Sequence, residues 1–94
     1  MHNGNGAADA PLVLDATADD LPARFRAALA GEADRELIVD LQAVSVADPA
    51  LLRALSVVAD AARAAERQVG LVGARPEVYK ALHVAGLAAA FRRL

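Results

Sequence analysis

The sequence has no cysteine and no tryptophan, and its aromatics are confined to Phe25, Tyr79 and Phe91. Without cysteine there is no disulfide, no thiolate metal site and no thiol nucleophile, and a reducing cytoplasm suits such a composition. With so few aromatics, the 56% hydrophobic content falls to Ala, Leu and Val, so the expected core is aliphatic and thin. No apolar run approaches the roughly 20 residues needed to span a bilayer. Residues 1–10 also lack the basic start and apolar stretch of a signal peptide. Neither charge sign dominates: basic and acidic residues are interspersed and leave a formal charge of −2, which offers no broad positive field to nucleic acid. Gly70, Gly73 and Gly86 stand in no G-x-x-x-x-G-K-[ST] or G-x-G-x-x-G pattern, so no phosphate-binding loop is expected.

What is present suits one small domain. At 94 residues the chain has room for a single core, and a domain of this size buries only roughly 60 to 65% of the surface its unfolded chain exposes. Residues 1–10, rich in Gly, Asn and Ala, have no periodicity and read as a mobile tail; the domain is expected over 11–94.

Leu12, Val13 and Leu14 make a short apolar run suited to a buried strand. Thr17 and Asp20 are alternative caps for a helix in which Leu21, Phe25, Ala28 and Leu29 form one stripe and Gly31 is a stop. Leu37 to Leu41 read as a second buried strand. Asp48 before Pro49 reads as an N-cap followed by proline at the first helical position, where its missing amide hydrogen costs no bond. That helix is expected to run to about Gln68, with Leu52, Leu55, Ala59 and Ala62 inward and Arg53, Ser56, Asp60, Arg63 and Arg67 outward. Val69 to Val72 read as a third strand, Pro76 to His83 as a helix, and Gly86 as its left-handed stop. The remaining Leu87 to Leu94 are expected to form a short helix with Phe91 packed inward. Strands alternating with helices over short connections predict a sheet packed against helices in an α/β or α+β sandwich.

From Glu36 onward these segments, taken in order, carry a resemblance. Leu37-Ile38-Val39-Asp40-Leu41, Val44-Ser45-Val46-Ala47-Asp48 before a long helix, Val69-Gly70-Leu71-Val72-Gly73, Arg75-Pro76-Glu77-Val78, Leu82, Gly86-Leu87 and Phe91 together resemble a STAS domain. That fold is shared by anti-sigma-factor antagonists, the cytoplasmic tails of sulfate transporters and a subunit of bacterial lipid-transport ABC complexes. The resemblance covers Pro11 to Leu94. It implies a mixed sheet of about three to four strands against three to four helices, no catalysis, no cofactor, and a protein partner held at the N-terminal end of the Pro49 helix by Asp48, Pro49, Ala50, Leu51 and Arg53. The implied partner is an anti-sigma factor or histidine-kinase-like ATPase in transcriptional regulation of the bacterial signalling type. The alternatives it leaves are the ATPase of an ABC transport complex and a small ligand sensed between sheet and helix.

Two departures from the family pattern stand out. STAS antagonists usually carry Asp-Ser-Ser/Thr-Gly at the helix start, with the serine after the aspartate taking phosphate from a partner kinase. Here Asp48, Pro49, Ala50 and Leu51 stand there, and neither Pro49 nor Ala50 has a hydroxyl to phosphorylate. The N-terminal strand region is also shortened to Leu12–Asp15, which would expose a strand edge and leaves homodimerisation open.

The other reactive side chains have ordinary readings. The hydroxyls are Thr17, Ser45, Ser56 and Tyr79; capping, packing or exposure explains each, with Ser56 the alternative phosphorylation site because it shares a face with Arg53 and Arg63. His83 and the tail's His2 make no metal-ligand set. Asp15, Asp40, Asp48 and Asp60 are scattered over separate elements, and no spacing compels an acid/base pair among them.

Overall fold

A computed structural model describes residues 10–31 and 35–94; residues 1–9 of the expected tail, His2 included, lie outside the described residues. The order is β1 (Leu12–Asp15), α1 (Leu21–Gly31), β2 (Leu37–Asp40), α2 (Pro49–Ala64), β3 (Val69–Val72), α3 (Pro76–Val84), a 3₁₀ turn (Ala88–Ala90) and β4 (Phe91–Arg93). The strands form one sheet in the order β1-β2-β3-β4. All pairs are parallel rather than mixed, with Leu12 opposite Leu37, Ile38 opposite Gly70 and Val69 opposite Phe91. Every connection is therefore a crossover carried by a helix or helical turn.

Each strand places alternate side chains on opposite faces. Leu14, Leu37, Val39, Val69, Leu71 and Phe91 face the helices and share one buried cluster with Leu21, Phe25, Leu55, Val58, Val78 and Leu82. Stepping across the sheet in one direction with crossovers of one hand puts all three helices on the same face. The opposite face carries Val13, Ile38, Gly70, Val72, Arg92 and Leu94, and no described helix covers it. Ile38 is nevertheless buried, because Gly70 has no side chain and Leu94 occupies the space: a Cβ at Gly70 would lie 2.8 Å from Leu94 Cδ1 and 3.3 Å from Ile38 Cγ1. Arg92 reaches Glu36 across the same face at 2.8 Å.

The expected helix over Leu87–Leu94 is instead the 3₁₀ turn and β4. Phe91 does pack inward, and Arg92 and Arg93 are exposed. Pairing with Val69–Leu71 decides the outcome over local preference. Helix α2 stops at Ala64, short of Gln68, because Glu66 turns left-handed (φ 56°). The Glu66 amide then donates to Arg63 O and the Arg67 amide to Ala62 O, which is Schellman closure without glycine. Helix α3 closes the same way through Gly86 (φ 77°), with Gly86 donating to His83 O and Leu87 to Leu82 O. Along α2 the inward stripe runs through Leu51, Leu55, Val58, Ala59 and Ala62; Leu52, expected inside, packs half-buried at its margin.

A left-handed non-glycine residue costs about 1–2 kcal/mol, of which glycine's extra unfolded-state freedom gives back part. Glu66→Gly is therefore expected to stabilise the fold by about 0.5–1 kcal/mol, read as a raised melting temperature in calorimetry.

Candidate functional site

In a parallel sheet every strand-to-helix loop emerges at the same edge, which makes that edge the natural place for a site. Two of those loops end in matching turns. Asp15 and Asp40 are neighbours in register at the ends of β1 and β2. Asp15 Oδ1 accepts the Thr17 amide at 2.9 Å and the Thr17 hydroxyl at 2.7 Å, and Asp40 Oδ1 accepts the Gln42 amide at 2.8 Å. Both carboxylates thus serve as turn formers. Asp20 precedes α1: its carbonyl accepts the Arg24 amide at 2.9 Å and its carboxylate the Arg24 guanidinium at 2.9 Å.

The two loops and the start of α2 enclose an open cleft of about 480 Å³. Ala16, Thr17, Ala18 and Asp19 form one wall, Ala43, Val44, Ser45, Val46 and Asp48 another, and Ala50, Leu51 and Ala54 of α2 the third. Asp48 caps the helix, its Oδ1 accepting the Leu51 amide at 2.8 Å, and Pro49 takes the first helical position. The first turn of α2 is thereby closed at the cleft.

The five residues singled out at the helix start do not share one surface. Asp48, Pro49, Ala50 and Arg53 are exposed, whereas Leu51 turns inward at 9% exposure and joins the core. The facing wall, Ala16 to Asp19, and the exposed rim residue Val46 were not assigned to the site by the sequence reading, which took Thr17 as a cap or an ordinary hydroxyl. A strand–helix–strand order would have pointed to them, since both loops must leave the sheet at one edge.

The lining offers little to chemistry. Its polar side chains are Thr17, Asp19, Ser45 and Asp48, with the Thr17 hydroxyl and the Asp48 carboxylate engaged in turn and cap. Among the described residues no group of three His, Asp or Glu could hold a metal ion. Of the remaining hydroxyls, Ser45 is exposed, and Ser56 is half-buried on α2, where Arg63 is engaged by Asp60 at 3.3 Å. Tyr79 is half-buried, its ring edge-on to His83 with 5.0 Å between centroids and beneath the Arg93 guanidinium at 4.9 Å. No helix among the described residues is long and apolar enough to cross a membrane.

The STAS domain model matches residues 10–93, and the chain belongs to that family. Four strands and three helices on one face of the sheet agree with its fold. Comparison with curated proteins and with solved structures returned no match.

Removing the cap in Asp48→Ala is expected to cost about 1 kcal/mol, with Asp48→Asn within a few tenths of wild type because asparagine caps as well; urea unfolding of the three proteins checks this. Hydrogen bonds from Thr17 hold the Asp15 carboxyl below its ordinary value of 3.8, and the hydrogen bond from Arg24 does the same for Asp20. Such groups bind protons more weakly when folded, so their stabilisation is complete above the ordinary aspartate range and is lost as pH falls through and below it. Melting temperature is expected to drop over that acid window, and Asp20→Asn to make the decline shallower; an unchanged slope would remove Asp20 from the account.

Proposed function

We propose that the chain is a non-catalytic, cytoplasmic interaction module of the anti-sigma-factor-antagonist type that docks a partner protein on the start of α2 and does so without a phosphorylation signal. Membership of the STAS family makes protein interaction its general role. What supports the finer reading is the exposed helix start itself: Asp48, Pro49, Ala50 and Arg53 lie open beside the cleft, rigidly capped, with no hydroxyl at positions 49 or 50. In the family, phosphate on the serine after the aspartate blocks the partner kinase. A proline in its place leaves the surface in one chemical state. Leu51 contributes from below, anchoring the helix end to the core.

The partner expected on this reading is a histidine-kinase-like ATPase. Affinity capture with wild type and with Ala50→Glu, Arg53→Glu tests it, since both changes lie on exposed positions and spare the Asp48 cap. Wild type is expected to retain that ATPase and the double variant to lose it at least tenfold, with unchanged thermal melting. Capture of an ABC ATPase instead would move the chain to a transport assembly, and equal capture by the variant would remove the helix start from the interface. Incubation of the complex with ATP is expected to leave the chain unmodified; phosphate on any residue accompanied by release of the partner would overturn the signal-independent reading.

A further inference from the structure

The open edge of β1 carries a hydrogen-bonding pattern complementary to itself. A strand in a parallel ladder bonds its neighbour through alternate residues. The Leu12 amide donates to Glu36 O at 2.9 Å and the Ala16 amide to Asp40 O at 3.0 Å, so positions 12, 14 and 16 serve β2. The backbone groups of Val13 and Asp15 therefore point away from β2, toward the outer edge of the sheet. Val13 is 53% exposed despite its place in an apolar strand.

We infer that this edge pairs with the same edge of a second copy, antiparallel about a two-fold axis through Val13, to give one continuous eight-stranded sheet. With Val13 opposite Val13 of the other copy, each amide donates to the other's carbonyl, the close two-bond pair of an antiparallel ladder. The next outward-facing position sets Asp15 opposite Pro11. The Asp15 amide finds the Pro11 carbonyl; Pro11 has no amide hydrogen to return, and the Asp15 carbonyl needs none because it already accepts the Ala18 amide at 3.2 Å. Donors and acceptors thus match without an orphan group.

Charge follows the same symmetry. The Arg35 guanidinium sits at the beginning of β1, donating to Ala10 O at 2.9 Å and Pro11 O at 3.4 Å, while Asp15 marks its end. Antiparallel pairing lays the acidic end of each strand beside the basic end of the other, as an isologous interface requires. A competing occupant is the chain's own residues 1–9, but that segment is mostly Asn, Gly and Ala, types depleted in strands. The interface is independent of docking at α2.

Sedimentation equilibrium over a dilution series, combined with amide hydrogen exchange at Val13, tests the pairing. Wild type is expected at twice the chain mass, with Val13 protection lost on dilution. Val13→Pro removes the outward amide hydrogen, and proline is tolerated on an edge strand. Val13→Lys keeps that hydrogen but sets two like charges together at the two-fold. Both are expected at the single-chain mass with a wild-type circular dichroism spectrum, and Val13→Lys carries the test alone should the proline variant fail to fold. A wild type that stays at single-chain mass overturns the inference, through the chain's own residues 1–9 if Val13 is protected and through an unoccupied edge if it is not. Persistence of the doubled mass in a folded Val13→Lys variant assigns the dimer to another surface and overturns it equally.

Discussion

Parallel pairing of β2 with β1 on one side and β3 on the other is the constraint on which the rest of the molecule depends. It requires a crossover between every pair of neighbouring strands. It also buries Leu37 and Val39 completely at the centre of the cluster and delivers the loops after β1 and β2 to one edge. The cleft, the placing of the α2 cap and the neighbouring aspartate turns all follow from that common edge. Were β1 antiparallel to β2, Asp15 and Asp40 could not end side by side.

The core meets this geometry with very small side chains. Ala59 and Ala62 on α2 are fully buried, as is Phe25 on α1, and the small side chains let the helices lie close to each other and to the sheet, with Phe25 and Phe91 the two large rings of the cluster. No charged or polar residue is buried among the described residues. Specificity must therefore come from shape and from the turns rather than from buried polar pairs. That places weight on the capped end of α2, where the Asp48 carboxylate closes the first turn beside the cleft.

The sequence was most legible where a local signal carried its own mechanism. Asp48 with Pro49 announced a helix start, Gly86 a helix end, and Val69–Val72 a buried strand. It was least legible where a distant partner decided. Ala88 to Leu94 is rich in good helix formers, and only the neighbouring β3 makes a strand of Phe91–Arg93. The end of α2 was hidden because Glu66 holds a backbone conformation usually marked by glycine. At the site, the cap and the missing hydroxyls were readable, but whether Leu51 faced a partner or turned inward stayed open: one residue is 100° on a helix, and Leu51 and Leu52 compete for the same face. The opposite wall, Ala16 to Asp19, could not be linked to α2 until the fold set the two across from each other, and Thr17 read only as a cap or an ordinary hydroxyl.

The parallel register has a consequence for how the chain reaches this state. Each ladder joins segments far apart in sequence, Leu12 to Leu37, Ile38 to Gly70 and Val69 to Phe91, so no strand pair can form as a local hairpin. Every pairing must wait for a crossover to be closed, a topology associated with slower folding than that of helical bundles. Of the four strands β4 is the last in sequence and supplies Phe91 to the core, so β3 keeps one edge unpaired until the crossover through α3 has closed. The sheet is thus completed only across its last crossover, and its exposure to misassembly is greatest while β3 still has an unpaired edge.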